Sequence, residues 1–212
     1  LPGINEHFAQ PTNDRLANLI GSRICHDLIS PIGAVANGLE LMELAGLPRG
    51  PEVELVDRSA QNAAARIRYF RLAFGVCGGG QSATDQSVVP QQMVNLLAQV
   101  FDGDRLDVQW NVHEPATREE VKAALLAVMC VETALNGTGH IVIRHEDASW
   151  SVQGAGPKIS ADGKEWQLLH GNALTDELAP AAVQFALLPD AAAQIGRQIR
   201  ISHSEQAVEI RI

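Results

Sequence analysis

The chain has few cysteines, no long apolar run and little positive charge, and each shortage removes a class of protein. Cys25, Cys77 and Cys130 are odd in number, widely spaced and without a CxxC pair. That argues against a disulfide framework or a zinc ribbon and suits a reducing compartment. The longest apolar run, Ala123 to Val131, falls far short of the roughly 18 residues that mark a membrane span, and the N-terminus lacks a charged-then-apolar signal pattern. Lys and Arg number 16 against 25 Asp and Glu, for a net charge of −9. Nucleic acid is thereby disfavoured as the main partner, because phosphate binding needs concentrated cations. These absences predict a cytoplasmic protein that neither spans a membrane nor binds nucleic acid. A chain that opens on Leu1 rather than Met reads as trimmed at its N-terminus.

What is present is organised in two parts, and 212 residues suffice for two small domains. After a polar entry from Leu1 to Thr12, apolar residues at Leu16, Ile20, Ile24, Leu28, Val35, Leu39 and Met42 predict a helix from about Asn13 to Ala45. Gly46-Leu47-Pro48-Arg49-Gly50-Pro51 ends it. A second helix follows to about Phe74, with Val53, Val56, Ala60, Ala63, Ile67, Phe70 and Phe74 spaced as a coiled-coil seam. Two such helices form an antiparallel hairpin too elongated to bury both stripes alone, so the spacing predicts a homodimer closed as a four-helix bundle.

Gly78-Gly79-Gly80-Gln81-Ser82-Ala83-Thr84-Asp85 has the composition of a connector. The expected division is a helical hairpin over 1–77, a glycine-rich linker over 78–86 and an α/β domain over 87–212. In the last, the patterning predicts helices at Pro90–Phe101, Arg118–Leu135 and Pro180–Ile195. Strands are expected at Asp107–Val112, His140–His145, Ser149–Val152, Gln198–His203 and Ala207–Ile212. The fold class is then α + α/β, a helical bundle followed by helices packed on one face of a mixed sheet.

One turn of the first helix carries the chemistry. Arg23-Ile24-Cys25-His26-Asp27-Leu28-Ile29-Ser30-Pro31 combines a histidine, an adjacent carboxylate and a proline. At about 100° per residue, His26 falls opposite the aliphatic stripe and faces solvent, where a neutral imidazole serves as a nucleophile. Asp27 is placed to accept its proton or bias its tautomer. Ser30, one turn on, is placed to hydrogen-bond a phosphoryl oxygen or a water. Pro31 frees the carbonyl of Asp27. On the same face lie Arg15, Leu19, Ser22, Gly33 and Asn37, mostly short side chains that admit another backbone. Arg15 and Arg23 add positive charge beside the histidine.

His26-Asp27-Leu28-Ile29-Ser30-Pro31 resembles the H-box of two-component histidine kinases, which reads His, acid, aliphatic, two variable residues, proline. Hairpin, linker and α/β domain also follow the order of such a kinase, over nearly the whole chain. The nucleotide boxes do not. The helix that bears the kinase asparagine reads Val131-Glu132-Thr133-Ala134-Leu135, and the glycine box reads Val152-Gln153-Gly154-Ala155-Gly156, with Gln153 where an adenine-binding aspartate belongs. Ala193-Gln194-Ile195-Gly196-Arg197 provides no second phosphate cradle, and the stretch after Gly154 is short for an ATP lid. Thr133, Gln153, Gly154 and Gly156 therefore read as a nucleotide site that no longer functions.

In this the chain resembles the ChpT-type histidine phosphotransferases of bacterial phosphorelays, most closely over Ile29-Ser30-Pro31-Ile32-Gly33-Ala34-Val35-Ala36-Asn37-Gly38-Leu39-Glu40-Leu41. The resemblance implies ATP-independent phosphoryl transfer through His26, between receiver domains of a hybrid kinase and of response regulators. It also implies that Mg²⁺ sits on the receiver, so that the chain needs no metal or cofactor of its own. Rival readings are an active kinase with divergent boxes and a dimeric adaptor that docks receivers without accepting phosphate. A Cys25-His26-Asp27 hydrolase triad is disfavoured because helix neighbours diverge by about 100°. His140, His145 and His170 lack ligand spacing. Gly78-Gly79-Gly80 lacks the Lys-Ser/Thr pair of a phosphate loop.

Overall fold

The computed structural model describes residues 27–28, 31–35, 37–38, 41–42, 44–45, 50–75, 87–101, 105–171 and 178–212, and those between 27 and 45 are helical (α1). Helix α2 (Pro51–Phe74) starts with proline at its head, carries Glu52 and Glu54 in its first turn and Arg71 in its last, and so complements its own dipole. Then follow α3 (Pro90–Val100), β1 (Leu106–Asn111), α4 (Arg118–Leu135), β2 (Gly139–Glu146) and β3 (Ser149–Ala155). Two 3₁₀ turns, Lys164–His170 and Pro180–Ala182, lead to α5 (Val183–Gln194), β4 (Arg200–His203) and β5 (Ala207–Arg211).

The sheet has the order β1-β2-β3-β5-β4. Strands β1 and β2 are parallel, joined through α4, and the other pairs are antiparallel. This is the mixed sheet expected from the alternation of elements. Ile141, Ile143, Trp150, Val152, Val208 and Ile210 are buried on one face. Arg144, Ser151, Gln153 and Glu209 alternate with them onto the other, as a period of two requires.

Helix α4 is the centre of the core. The run Ala123–Val131 is buried throughout, because α4 meets the sheet, α2 and α5 together, and a helix apolar all round belongs inside. Thr117 caps it reciprocally: its Oγ1 accepts from the Glu120 amide at 3.2 Å, and the Glu120 carboxylate accepts from the Thr117 amide at 2.8 Å. The Tyr69 hydroxyl donates to the Leu125 carbonyl at 3.2 Å and ties α2 to α4.

Helix α2 buries a second face beside its expected seam, in which Phe70 is buried and Val53, Val56, Ala63 and Phe74 are half-buried. The residues it buries are Ser59, Ala65, Tyr69, Phe70 and Ala73, the face that packs on α3 and α4. Of the seven seam positions, Ala60 is exposed and Ile67 is 45% exposed. Aromatic contacts hold the second face: Tyr69 meets Phe101 edge-on, while Phe70 and Phe74 stack on each other along the seam. The helix thus has one apolar face on the C-terminal domain and another left open.

Candidate functional site

His26 lies outside the described residues, as do Arg15, Leu19, Ser22, Arg23 and Ser30. Their neighbours define the ground on which they were expected to act. Asp27 is half-buried in helix α1. Leu28, Val35 and Met42 from the aliphatic stripe are half-buried as well, while Gly33 and Asn37, assigned to the opposite face, are exposed. A Cβ added to Gly33 would meet nothing within 4 Å, so that face is open to an approaching backbone.

Gly38 is the buried counterpart on the same helix. A Cβ there would overlap Cγ2 of Val56 and come within 3.3 Å of the Glu52 carbonyl oxygen. The missing side chain lets α1 and α2 pack in close contact, and it fixes their register. Eleven residues before Gly38 is Asp27, and eleven after Val56 is Ile67. In an antiparallel hairpin, Asp27 is therefore level with Ile67 and Arg68, about 16 Å along the axis.

Of the residues expected to mark a lost nucleotide site, Gln153 and Gly154 line one cleft, and Thr133 and Gly156 are not among its lining. Gly154 lies within β3, not in a turn after it, because the strand runs to Ala155. A Cβ on Gly154 would overlap Cγ1 of Val131, and one on Gly156 would lie 2.8 Å from Cδ2 of Leu135. These glycines seat α4 on the sheet against valine and leucine side chains, with the Thr138 carbonyl oxygen also within 2.7 Å of a Cβ on Gly156. Thr133 turns back on its own helix: its hydroxyl donates to the Met129 carbonyl at 2.9 Å and accepts from Gln184 Nε2 of α5 at 3.1 Å.

Gln153 faces the other way, onto the open side of the sheet. Its Oε1 accepts from Arg144 at 2.8 Å and its Nε2 donates to Glu209 at 2.9 Å. Ser151 and Arg211 donate to the same Glu209 oxygen at 2.9 and 2.7 Å. Burial by itself raises the Glu209 carboxyl, but the bonds from Arg211, Gln153 and Ser151 outweigh it and hold the group below its ordinary value. A cleft of about 550 Å³ adjoins this network, with His140, Arg144, Gln153, Ser204 and Glu209 along it.

Among the described residues no group of three His, Cys, Asp or Glu side chains converges as a metal site would. His145 stacks on Trp150 at 4.5 Å. No described helix is long and apolar enough to cross a membrane. A groove between α2 and α3, lined in part by Arg68, Arg71 and Arg118, was not anticipated from sequence. Its arginines come from two separate helices, and only the packing of α2 on the domain unites them.

A family model for the histidine phosphotransferase C-terminal domain matches residues 90–207, more than half of the chain. The chain belongs to the histidine phosphotransferase family. This phosphotransferase-family chain is 33% identical over 132 residues to the protein phosphotransferase ChpT of Brucella abortus (strain 2308), a stretch that covers 62% of this chain and 61% of that protein. The match therefore spans less than two thirds of that relative. A bacterial phosphotransferase of known structure superposes with a TM-score of 0.74 at 26% identity, covering 93% of this chain and 95% of the other. A blue-light activated histidine kinase domain from Erythrobacter litoralis reaches a TM-score of only 0.42 at 11% identity, too distant to bear on the argument.

Proposed function

We propose that the chain is an ATP-independent histidine phosphotransferase of a phosphorelay. The imidazole nitrogen of His26 attacks the phosphorus of an aspartyl phosphate on one receiver domain. The N–P bond forms as the acyl-phosphate P–O bond breaks, and the aspartate leaves as a carboxylate. The reverse step then delivers the group to a second receiver. Both linkages are high in energy, so positioning and charge by Asp27, Arg23 and Ser30 carry most of the catalysis. Mg²⁺ belongs to the receiver's acidic pocket.

The observation that carries this reading is the contact between α4 and β3. In a chain of this family, Val131 and Leu135 press on Gly154 and Gly156, while Gln184 of α5 bonds Thr133. That leaves aliphatic side chains where a nucleotide would need polar groups and space. This packing supports a chain that takes its phosphoryl groups from a donor other than ATP.

The functional unit we infer is a cytoplasmic homodimer. Its hairpin (1–77) forms half of a four-helix bundle, joined by the linker (78–86) to the α/β domain (87–212). Support comes from the apolar residues the lone hairpin leaves in solvent: Ile32 is 57% exposed, Leu44 78% and Ile67 45%. A second hairpin would cover such residues.

The test is transfer of labelled phosphate from a charged receiver domain. Wild type should gain an acid-labile, alkali-stable label that is absent in His26→Ala. Equal labelling of that variant would overturn the assignment, and an adaptor would show no label on either. Sedimentation should give twice the monomer mass; a monomer at micromolar concentration would overturn the bundle.

A further inference from the structure

Between α2 and α3 lies an open groove of about 780 Å³; among the described residues that line it, the charged ones are Arg68, Arg71 and Arg118. Helix α3, which forms one wall, contains no charged residue at all. The described lining is thus cationic, on a chain whose net charge is −9. Leu72, Met93 and Leu96 give it an apolar floor.

The walls are fixed in advance. Asn62 Nδ2 donates to the carbonyls of Gln99 at 3.0 Å and Val100 at 3.2 Å, and so pins α2 to α3. Arg68 Nη2 donates to Gln99 Oε1 at 2.6 Å, which orients the guanidinium along the groove. Along α3 the groove is lined from Gln92 to Gln99, about 10 Å of helix. The hairpin register puts Arg68 level with Asp27, the neighbour of the phosphoacceptor.

We propose that this groove seats an acidic segment of the receiver domain that exchanges its phosphoryl group with His26, and that Arg68, Arg71 and Arg118 select that partner. The proposal rests on the phosphotransfer reading and adds the surface that recognises the partner. A protein segment fits better than nucleic acid, because the floor of Leu72, Met93 and Leu96 is apolar and suits side chains rather than a phosphate backbone.

The test compares phosphoryl transfer from a charged receiver domain to wild type and to a triple variant, Arg68→Glu, Arg71→Gln, Arg118→Gln. Arg197→Glu with Arg200→Glu, on the far edge of the sheet, is a control for net charge. The triple variant should raise KM at least about tenfold with little change in kcat, and its transfer should lose the steep salt dependence of wild type. The control should behave as wild type. A short polyglutamate should compete for wild type and not for the triple variant. If wild type is labelled and the triple variant has an unchanged KM, or the control is impaired equally, the groove is not the docking site. Stronger competition by duplex DNA than by polyglutamate would also overturn it. If no receiver labels wild type, the phosphotransfer reading fails, and the groove's partner with it.

Discussion

Gly154 of β3 and Val131 of α4 meet so closely that a Cβ on the glycine would overlap the valine's Cγ1. The contact joins the middle of the sheet to the helix at the centre of the core. Flanking side chains, Leu135 at 3.1 Å and Val208 at 3.4 Å from the same point, leave no direction in which a methyl group fits. Gly154→Ala should therefore destabilise by about 1–3 kcal/mol through overpacking, read as a lower urea midpoint at unchanged slope. A midpoint equal to wild type would mean that α4 is not held against the strand.

Two glycines of α1 predict opposite signs. Gly38→Ala drives a methyl group into Val56 and should lower stability by about 1–3 kcal/mol. At Gly33 the space is open, so Gly33→Ala should raise stability by roughly 0.5–1 kcal/mol through helix propensity. Thermal unfolding of the pair tests the hairpin register, and shifts of the same sign would contradict it.

These elements were not equally legible in the sequence. Helix α4 runs over the residues its patterning predicts, and the structure gives the reason for its ends: Thr117 and Glu120 form a capping box and Asn136 adopts a left-handed φ of 51° just past its end. Helix α2 was equally plain, from Pro51 to the glycine after Phe74. The 3₁₀ turn Lys164–His170 was missed: its apolar residues Trp166, Leu168 and Leu169 fit neither a period of 3.6 nor of 2. The role of Gly154 was also out of reach. Gly154-Ala155-Gly156 is what a decayed phosphate cradle or an ordinary turn looks like, and only the strand register makes Gly154 a seat for a helix. The second buried face of α2 was out of reach, because Tyr69 and Ala73 find their partners on α3 and α4, which are distant in sequence.

The Glu209 network predicts an acid dependence. Its carboxyl is held below the ordinary value of 4.5 by hydrogen bonds from Arg211, Gln153 and Ser151, against the opposing effect of burial. A lowered folded value means stability that is present above the unfolded value and lost as pH falls through the folded one. The stability difference between wild type and Glu209→Gln should be constant from about pH 6 to 8 and shrink below about pH 4.5. A difference that persisted unchanged to pH 3 would show the carboxylate is not held in this way.

Cys130 is fully buried in α4, and burial, with Glu165 adding to it, pushes its thiol well above the ordinary value of 9.0. The thiolate is the reactive species. Iodoacetamide at pH 8 should leave residue 130 of the native protein unmodified and alkylate it once the chain is unfolded in urea, as peptide mass spectrometry would read. Rapid alkylation of the native protein at that position would contradict the packing of α4.

The most direct test of the account is to offer the protein two phosphodonors side by side, Mg²⁺-ATP alone and a kinase-charged receiver domain, and to follow acid-labile, alkali-stable label on wild type and His26→Ala. Label on wild type from the receiver alone, and none on the variant, is the predicted result. Label from ATP alone would contradict it and make the protein a kinase.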